Sequence, residues 1–301
     1  MELRHLRYFV AVVEEGNLTT AAKRRLHTSQ PSLSRQIRDL EYEVGVELLS
    51  RSVHGVELTA AGRAFLDHAR LALMQADAAV EAARKEARPS KKTLAIGFQT
   101  GQEMDWLPRA MAVLRDELKN IEVAVTSDYS PDLAEALARG RLDLAFLRVE
   151  PGYDLGYHIV DREPLIVLMP SDHRLAARQA IHPREFVGDI FIGGSNKATV
   201  LRAVTEDYLR RSGVDIKFDH GVDNLAMAMS LVASTRGLAL MPAYARRLLP
   251  PSVVSRPLEG EAPMIDVAVG YSKSNTSPIV KLFLSRLDEL VGPNKPAARQ
   301  A

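Results

Sequence analysis

Basic and short polar side chains are concentrated between Leu18 and Arg38, a stretch with five lysine or arginine residues and no acidic residue. Arginine and lysine bind phosphate groups, and serine, threonine and glutamine side chains also reach base edges in the DNA major groove. The stretch could therefore bind DNA. The alternative that the residues alone leave open is a helical hairpin whose basic face is only solvated.

Two short amphipathic helices must position these side chains. Apolar residues recur at helical spacing in both, at Leu18, Ala21, Ala22 and Leu26 and then at Leu33, Ile37 and Leu40. Between them, Thr28, Ser29 and Pro31 form a helix start, because a hydroxyl caps free amides and proline suits the first turn. Gly45 is expected to end the second helix. The pattern predicts a helix-turn-helix whose second helix enters the major groove by its N-terminal end.

Further elements are predicted on both sides of this pair. Residues 3–15 are expected to form a helix that stops at Gly16. From Arg51 to Thr59, a turn at His54-Gly55 separates two short extended pieces, which indicates a β wing. Because wings commonly lie along the DNA backbone or minor groove, His54 is expected near phosphate rather than on a metal ion.

A long helix is predicted from Ala60 to Arg88, with Thr59 as its cap and Pro89 at its end. Its apolar stripe is narrow and rich in alanine, and a small winged domain cannot cover its whole length. The helix therefore needs a partner, most simply the same helix of a second subunit. The competing interpretation is that it packs against its own chain.

Composition limits the class of protein. A chain of 301 residues with 46% hydrophobic residues is expected to form two or more domains, and a net charge of +1 leaves any DNA-binding charge local. Without cysteine, the chain can form neither disulfides nor Cys-based zinc sites. The N-terminus lacks a signal-peptide pattern and no span of ~18 apolar residues occurs, so we expect a cytoplasmic protein without membrane segments.

After the polar break at residues 88–92 the pattern changes to alternating strands and helices. Strands are predicted at 93–98, 121–126, 142–148 and near 157–169, 189–193, 216–219, 238–241, 253–257 and 264–271. Helices are predicted at 104–119, from Ser130, and near 198–212, 224–235 and 278–291. Such alternation predicts mainly parallel sheets covered on both faces. The length favours two lobes with a ligand cleft between them at the strand ends.

Several loops could line this cleft. Helix N-termini with free amides and hydroxyls bind anions, and Arg148, at the end of a strand, could pair with a carboxylate. Met241 falls at another strand end, although a core position is the competing interpretation. For each loop, plain capping is the alternative to ligand contact. The candidate effector residues are Thr100, Gly101, Gln102, Ser130, Arg148, Ser195, Asn196 and Met241.

The two alternative functional classes are an enzyme and a secreted solute receptor. The sequence contains no G-x-S-x-G, H-E-x-x-H, phosphate-loop or G-x-G-x-x-G pattern, and its histidines lack metal-ligand spacing, so neither catalysis nor a metal site is expected. A secreted solute receptor could share a two-lobed fold, but the missing signal peptide and the basic helix pair argue against it.

Four segments resemble the LysR-type transcriptional regulators: MELRHLRYFVAV, AAKRRLHTSQPSLSRQIRDLE, GVELLSR and LTAAG. The likeness is nearest to regulators of aromatic-acid catabolism, including phenylpropionate pathways. It implies an α+β chain with a winged helix-turn-helix at 1–59, a linker and dimerisation helix at 60–89, and an effector-binding domain at 93–301. That domain would be a two-lobed α/β fold like type 2 periplasmic-binding proteins, with lobe I at 93–161 plus 268–293 and lobe II at 162–267. Asp161–Leu165 and Pro263–Val267 would cross between the lobes.

The resemblance also assigns roles to residues and partners. It implies DNA contact by Thr28, Gln30, Pro31, Ser32, Ser34, Arg35, Arg38, Arg51 and His54. The implied partners are double-stranded promoter DNA, further copies of the chain in a homodimer or homotetramer, RNA polymerase and a small-molecule inducer, with no cofactor. The expected function is an activator of a catabolic operon that responds to a small carboxylate, with aromatic acids as one candidate class. The alternative is a repressor that responds to a non-aromatic or neutral metabolite.

Overall fold

Three helices, a hairpin and a long helix build residues 1–84, which form one of two compact units; Lys85–Ala301 forms the other. The computed structural model describes residues 1–52, 55–86, 92–291 and 299–300. The elements of the first unit are α1 (Leu3–Glu15), α2 (Leu18–Thr20, continued by a π-helical turn at Ala21–Arg25), α3 (Gln30–Val44), β1 (Leu49–Ser52), β2 (Gly55–Leu58) and α4 (Ala60–Glu86).

Local capping interactions define the helix boundaries of this unit. The Asn17 side chain accepts hydrogen bonds from the first free amides of α2, and Ser29 accepts one from the amide of Ser32 at the start of α3. Gly16 and Gly45 end α1 and α3 with φ of +62° and +83°, in the left-handed region that glycine adopts without strain. The predicted start of α3 and the predicted ends of α1 and α3 are therefore confirmed.

The core of this unit lies where α1, the α2 turn, α3 and α4 meet. Ala21 and Ala22 are completely buried, and their small side chains let the neighbouring helices approach closely. Phe9 is also completely buried, and its ring meets that of Phe65 edge to face at a centroid distance of 5.2 Å. This packing holds α3 in place, because fully buried side chains of this size dominate the stability of a small domain.

The predicted wing is present as the antiparallel pair β1–β2, whose register runs from Leu49 opposite Leu58 to Ser52 opposite Gly55. The turn residue His54 lies outside the described residues. Thr59 caps α4 by accepting a hydrogen bond from the amide of Gly62, as predicted. The predicted end of α4 at residues 88 and 89 also lies outside the described part of the chain.

The second unit contains mixed sheets covered by helices. Its strands are β3 (Lys92–Gln99), β4 (Ile121–Asp128), β5 (Leu144–Leu147), β6 (Leu155–Pro170), β7 (Phe191–Gly194), β8 (His220–Val222), β9 (Leu238–Pro242), β10 (Val253–Pro257), β11 (Met264–Ser272) and β12 (Arg299–Gln300). Its α-helices are α5 (Glu103–Val113), α6 (Ser130–Ala138), α7 (Thr199–Arg211), α8 (Leu225–Thr235), α9 (Pro278–Ser285) and α10 (Leu287–Val291), with short 3-10 helices at Pro183–Phe186 and Ala243–Leu248.

Parallel pairing is confined to the flanks of this unit. β3 pairs in parallel with β4 and β5, and β7 pairs in parallel with β8 and β9. The long strands β6 and β11 run antiparallel to each other and to their other neighbours. The expectation of mainly parallel sheets was therefore wrong, because two long strands that join the lobes in opposite directions require antiparallel ladders.

β6 and β11 link the two lobes. β6 pairs with β11 as far as Pro164, and from Leu165 onward its partners are β9 and β10. The predicted crossover segment Asp161–Leu165 lies in this part of β6, and its counterpart Pro263–Val267 covers the start of β11. The lobe boundaries assigned from the resemblance stay a prediction.

Three predicted elements differ from the observed ones. The helix predicted near 278–291 is observed as two helices, α9 and α10, with Arg286 between them. The helix predicted at 104–119 ends at Val113. The strand predicted at 216–219 begins only at His220, because Phe218 packs on Phe191 at a centroid distance of 5.8 Å and Asp219 bonds the amide of Phe191. Aromatic side chains favour strands, but here the ring packs in a core beside the sheet.

Each lobe has an apolar core of its own. In lobe I the rings of Phe98 and Phe146 stack at 5.0 Å, and Trp106 stacks on Phe146 at 5.5 Å. In lobe II, Leu165, Phe186 and Phe191 are fully buried between the sheet and its helices. None of the helices that the structure describes is both long and apolar enough to cross a membrane.

Candidate nucleic-acid interface and ligand cleft

The first turns of α3 present polar side chains to solvent. Pro31, Ser32, Arg35 and Arg38 are exposed, and Thr28 and Gln30 are half-buried beside them. The Arg35 side chain is 78% exposed, and its Nε lies 3.9 Å from the carboxylate of Asp39, which is a weak surface ion pair. This guanidinium can therefore turn toward a phosphate or a base at little cost.

One of the residues assigned to DNA is placed differently, and two others lie wholly or partly outside the described residues. Ser34 is only 8% exposed, because it lies one turn before Ile37 on the side of α3 that faces the core. The side chain of Arg51 and the whole of His54 lie outside the described part of the chain. Their roles on DNA stay predictions.

Exposed basic residues also lie on the neighbouring helix. Lys23 and Arg24 are exposed on the π-helical turn, whereas Arg25 forms an ion pair with Glu14 of α1. The acid-free stretch of the sequence predicted these basic residues as candidates for DNA contact. Which of them face solvent depends on where each one lies relative to the buried core. The first unit thus presents exposed basic side chains on the π-helical turn and on α3, and such a cluster can bind phosphate groups.

The second unit contains a cleft with an empty volume of about 620 Å³, formed by strand ends and helix starts from both lobes. Of the eight candidate effector residues, Thr100, Ser130, Arg148 and Met241 line it. Gly101, Gln102, Ser195 and Asn196 are not part of its lining.

The four candidates outside the lining bond other protein groups. Gln102 is 1% exposed; its amide donates to Glu163 at 2.9 Å and accepts from the Trp106 indole at 3.0 Å. Gly101 has a φ of +91° and is packed so closely on Tyr244 that an added Cβ would lie 2.9 Å from that ring. Both residues therefore stabilise the structure around the cleft and do not line it.

The other two precede α7. The Ser195 hydroxyl donates a hydrogen bond to Asp223 and accepts one from the amide of Lys197 at 3.1 Å. The Asn196 side chain accepts a hydrogen bond from Arg202 at 3.4 Å. These contacts resemble capping and loop-fixing interactions, which the sequence left open as the alternative to ligand contact.

Arg148 is a buried cation at the wall of the cleft. It is 2% exposed, its Nη1 donates to the backbone oxygen of Asp266 at 2.7 Å, and its Nη2 lies 3.7 Å from Glu163. Burial lowers the pKa of Arg148, and the nearby Glu163 carboxylate opposes that shift. The Nε and Nη2 atoms have no hydrogen-bond partner among the described residues. A buried guanidinium with free donors is suited to bind an anionic ligand group.

Ser130 fixes the backbone beside this cation. Its hydroxyl accepts a hydrogen bond from the Arg148 amide at 2.9 Å and donates one to Gln99 at 2.8 Å. Ser130 is also the first residue of α6, which has Pro131 at its start. The serine thus joins a helix start to the end of β5, so that the cationic side chain and the helix amides lie at the same part of the cleft.

Some cleft residues were missed by the sequence reasoning. Tyr244 is held by a hydrogen bond from its hydroxyl to the Thr100 backbone oxygen at 3.2 Å, and burial raises the pKa of this tyrosine to about 12. Lys197 lies over the ring of Tyr129 at 5.6 Å. Glu150, two residues after Arg148, also lines the cleft, and this spacing at a strand end was a signal that could have revealed it.

Apolar side chains form much of the remaining wall. They all lie within residues 162–267, the range assigned to lobe II, and are Val200, Leu201, Val222, Leu225, Met241 and Ile265. A ligand with an apolar body and one anionic group would therefore find complementary surfaces in the cleft. Within the described residues, no cluster of histidine and acidic side chains could hold a metal ion.

Comparison with known proteins agrees with both units. Residues 3–63 match the bacterial regulatory helix-turn-helix proteins of the lysR family, and residues 87–291 match the LysR substrate binding domain. The Hca operon transcriptional activator HcaR of Escherichia coli is 35% identical over 292 residues, covering 96% of this chain and 98% of that protein. The transcriptional regulator AlsR of Bacillus subtilis is 32% identical, covering 94% of both chains.

Solved structures of full-length regulators have the same architecture. CbnR, described as a LysR family transcriptional regulator, is 25% identical with a TM-score of 0.58, covering 95% of this chain and all of the other. CbnR has also been solved in complex with its target DNA, and that structure matches with a TM-score of 0.57. The chain is a ligand-responsive, DNA-binding transcriptional regulator rather than an enzyme, and it belongs to the LysR family.

Proposed function

We propose that this regulator activates a catabolic operon when a small carboxylate, aromatic in the favoured case, binds the cleft of its second unit. The observation that carries the proposal is Arg148, a buried guanidinium whose Nε and Nη2 lack hydrogen-bond partners in the described structure and which lines an apolar-walled cleft. The relatives support a catabolic role, since they include the Hca operon activator and a probable cat1 operon activator of Acinetobacter lwoffii.

The acting species is a homodimer or homotetramer in the cytoplasm, working with RNA polymerase at a promoter. The surface of α4 supports an assembly of this kind. Val80, a large apolar residue of this helix, is 50% exposed. A second copy of the helix would cover it, and two α3 helices would then match two half-sites on DNA. A bound carboxylate favours one arrangement of the lobes and so shifts the assembly toward its activating form. The size of this shift is set by the difference in the ligand's affinity for the two arrangements.

A thermal-shift screen with small carboxylates tests the ligand class. Benzoate, cinnamate and phenylpropionate are compared with aliphatic acids and sugars on the full chain. We expect a saturable rise in melting temperature with an aromatic acid, because a ligand at ~100 times its Kd stabilises by about 2.7 kcal/mol. A response to sugars or neutral metabolites alone would contradict the carboxylate proposal and favour the alternative repressor.

Footprinting with and without the responding acid tests the regulatory mechanism. We expect the acid to change the protected region and the bend of a promoter fragment, while the protein stays bound in both states. DNA protection and bending that are identical with and without a saturating acid would contradict the population shift.

Arg35→Ala tests the DNA interface. Because Arg35 is exposed and weakly paired, its loss should leave folding unchanged, weaken promoter binding ~10-fold and lower the slope of log affinity against log salt by about 1. Fluorescence anisotropy over a range of salt concentrations measures both quantities. The matched control is Lys281→Ala, which removes an exposed cation on α9 of the other unit and should change neither. An Arg35→Ala variant with wild-type affinity and salt slope would remove Arg35 from the interface.

A further inference from the structure

Glu150 is a buried acid on the wall of the cleft. It is 6% exposed and follows β5 in lobe I, two residues after Arg148. Its Oε2 accepts a hydrogen bond at 3.0 Å from the hydroxyl of Thr199, the first residue of α7 in lobe II. Glu150 therefore faces the ligand space from one lobe while it is bonded to the other.

No cation of the described structure neutralises this carboxyl. Burial raises the pKa of Glu150, the hydrogen bond from Thr199 opposes the shift, and no positively charged group contributes to it. Lys197, the other cation of the lining besides Arg148, is exposed and lies over the ring of Tyr129. The second acid of the lining, Asp223, accepts the hydrogen bond of Ser195 and adds to the negative charge.

The lining of the cleft thus includes the buried cation Arg148 and the acids Glu150 and Asp223. A ligand carboxylate at Arg148 and Ser130 is matched by a guanidinium and by helix amides. A second carboxylate on the same small molecule would meet Glu150, and two carboxylates that share a poorly solvated site disfavour each other's charged form. An uncharged end, or one that donates a hydrogen bond, meets no such penalty.

The geometry points to Glu150 as the specificity determinant of the cleft, which admits a monocarboxylate with an uncharged far end and rejects dicarboxylates. This inference rests on the proposed function, since it assumes that a carboxylate binds at Arg148. Glu150 acts here by direct contact with the ligand, not by holding another residue.

Matched acids test the inference on the full chain by isothermal titration calorimetry. The pairs are benzoate with terephthalate and phenylpropionate with its para-carboxy derivative. The wild type should bind the dicarboxylate of a pair ~10-fold or more weakly than the monocarboxylate. Glu150→Gln, which keeps the shape and the acceptor for Thr199, should bring the two affinities to within ~3-fold.

Glu289→Gln is the control, because Glu289 is an exposed acid on α10 outside the lining, and its selectivity should equal that of the wild type. The wild-type comparison needs no variant, so a poorly folded Glu150→Gln protein leaves the test intact. Equal wild-type affinity for mono- and dicarboxylates, or unchanged selectivity in folded Glu150→Gln, overturns this inference alone. Binding of none of the four acids overturns the proposed aromatic carboxylate effector, and the inference with it.

Discussion

Gly62→Ala is expected to unfold the DNA-binding unit while the effector-binding unit stays intact. A Cβ at this position would lie 1.9 Å from the backbone oxygen of Leu48 and 2.9 Å from its carbonyl carbon, distances that only a backbone movement can relieve. The amide of Gly62 also donates to Thr59, which in turn donates to the Glu47 backbone oxygen at 2.8 Å. The start of α4 is thus fixed against β1, and the added methyl group should cost ~3 kcal/mol or more.

The single tryptophan of the chain allows the two units to be followed separately. Trp106 lies in the core of lobe I and is 2% exposed, so its fluorescence reports on the second unit. In a urea titration of Gly62→Ala, far-UV circular dichroism should show an early transition that the fluorescence lacks, and DNA binding should be lost.

Ala64→Gly serves as the control for this variant. It removes a methyl group from an exposed position of the same helix and should cost no more than ~1 kcal/mol, with DNA binding retained. A Gly62→Ala protein with the wild-type transition and wild-type DNA affinity would show that the approach of α4 to β1 is not required.

The sequence predicted most accurately what neighbouring residues determine. Ser29 caps a helix through an amide three residues away, and Gly16 and Gly45 end helices by their own backbone freedom. These interactions are decided within one turn, so a single sequence contains them. The exposed polar residues at the start of α3 were predicted from the same kind of local pattern.

The cleft was predicted only in part, because its geometry depends on distant residues. Gln102 is withdrawn from the cleft by Glu163, which lies 61 positions away in sequence. No local pattern revealed that pairing. The antiparallel course of β6 and β11 was likewise hidden, since strand direction depends on the route of the chain between strands and not on the residues of either strand.

The sequence identified Arg148 as an anion-binding residue but did not reveal which groups surround it. Its position at a strand end predicted an anion-binding side chain, and the structure adds that the nearest anion is the protein's own Glu163, 3.7 Å from Nη2. Glu163 is itself 8% exposed and accepts hydrogen bonds from Gln102 and from the Tyr244 amide at 3.0 Å. The guanidinium therefore has a structural role in addition to the proposed ligand contact, and the two must be separated by experiment.

Arg148→Met is expected to lower the free energy of unfolding by about 3–5 kcal/mol, because it leaves the Glu163 carboxylate buried without a cation. In the double variant with Glu163→Gln the loss should be smaller than the sum of the single losses, by ~1–3 kcal/mol. Urea unfolding followed by Trp106 fluorescence measures all four proteins. The exposed pair Arg202–Glu206, with its atoms 2.8 Å apart on α7, is the control and should couple by only ~0.3–0.5 kcal/mol. A buried pair that couples no more than this control would contradict the structural role.

The same double variant separates packing from ligand binding. It contains no uncompensated buried charge, so its effector-binding unit should be more stable than that of Arg148→Met and its affinity for DNA close to normal. It also lacks the guanidinium whose Nε and Nη2 have no hydrogen-bond partner among the described residues, and we expect it to show no thermal shift with any acid that stabilises the wild type. A folded double variant with an undiminished thermal shift would place the carboxylate elsewhere in the cleft, with Ser130 and the amides at the start of α6 as the remaining anion-binding groups.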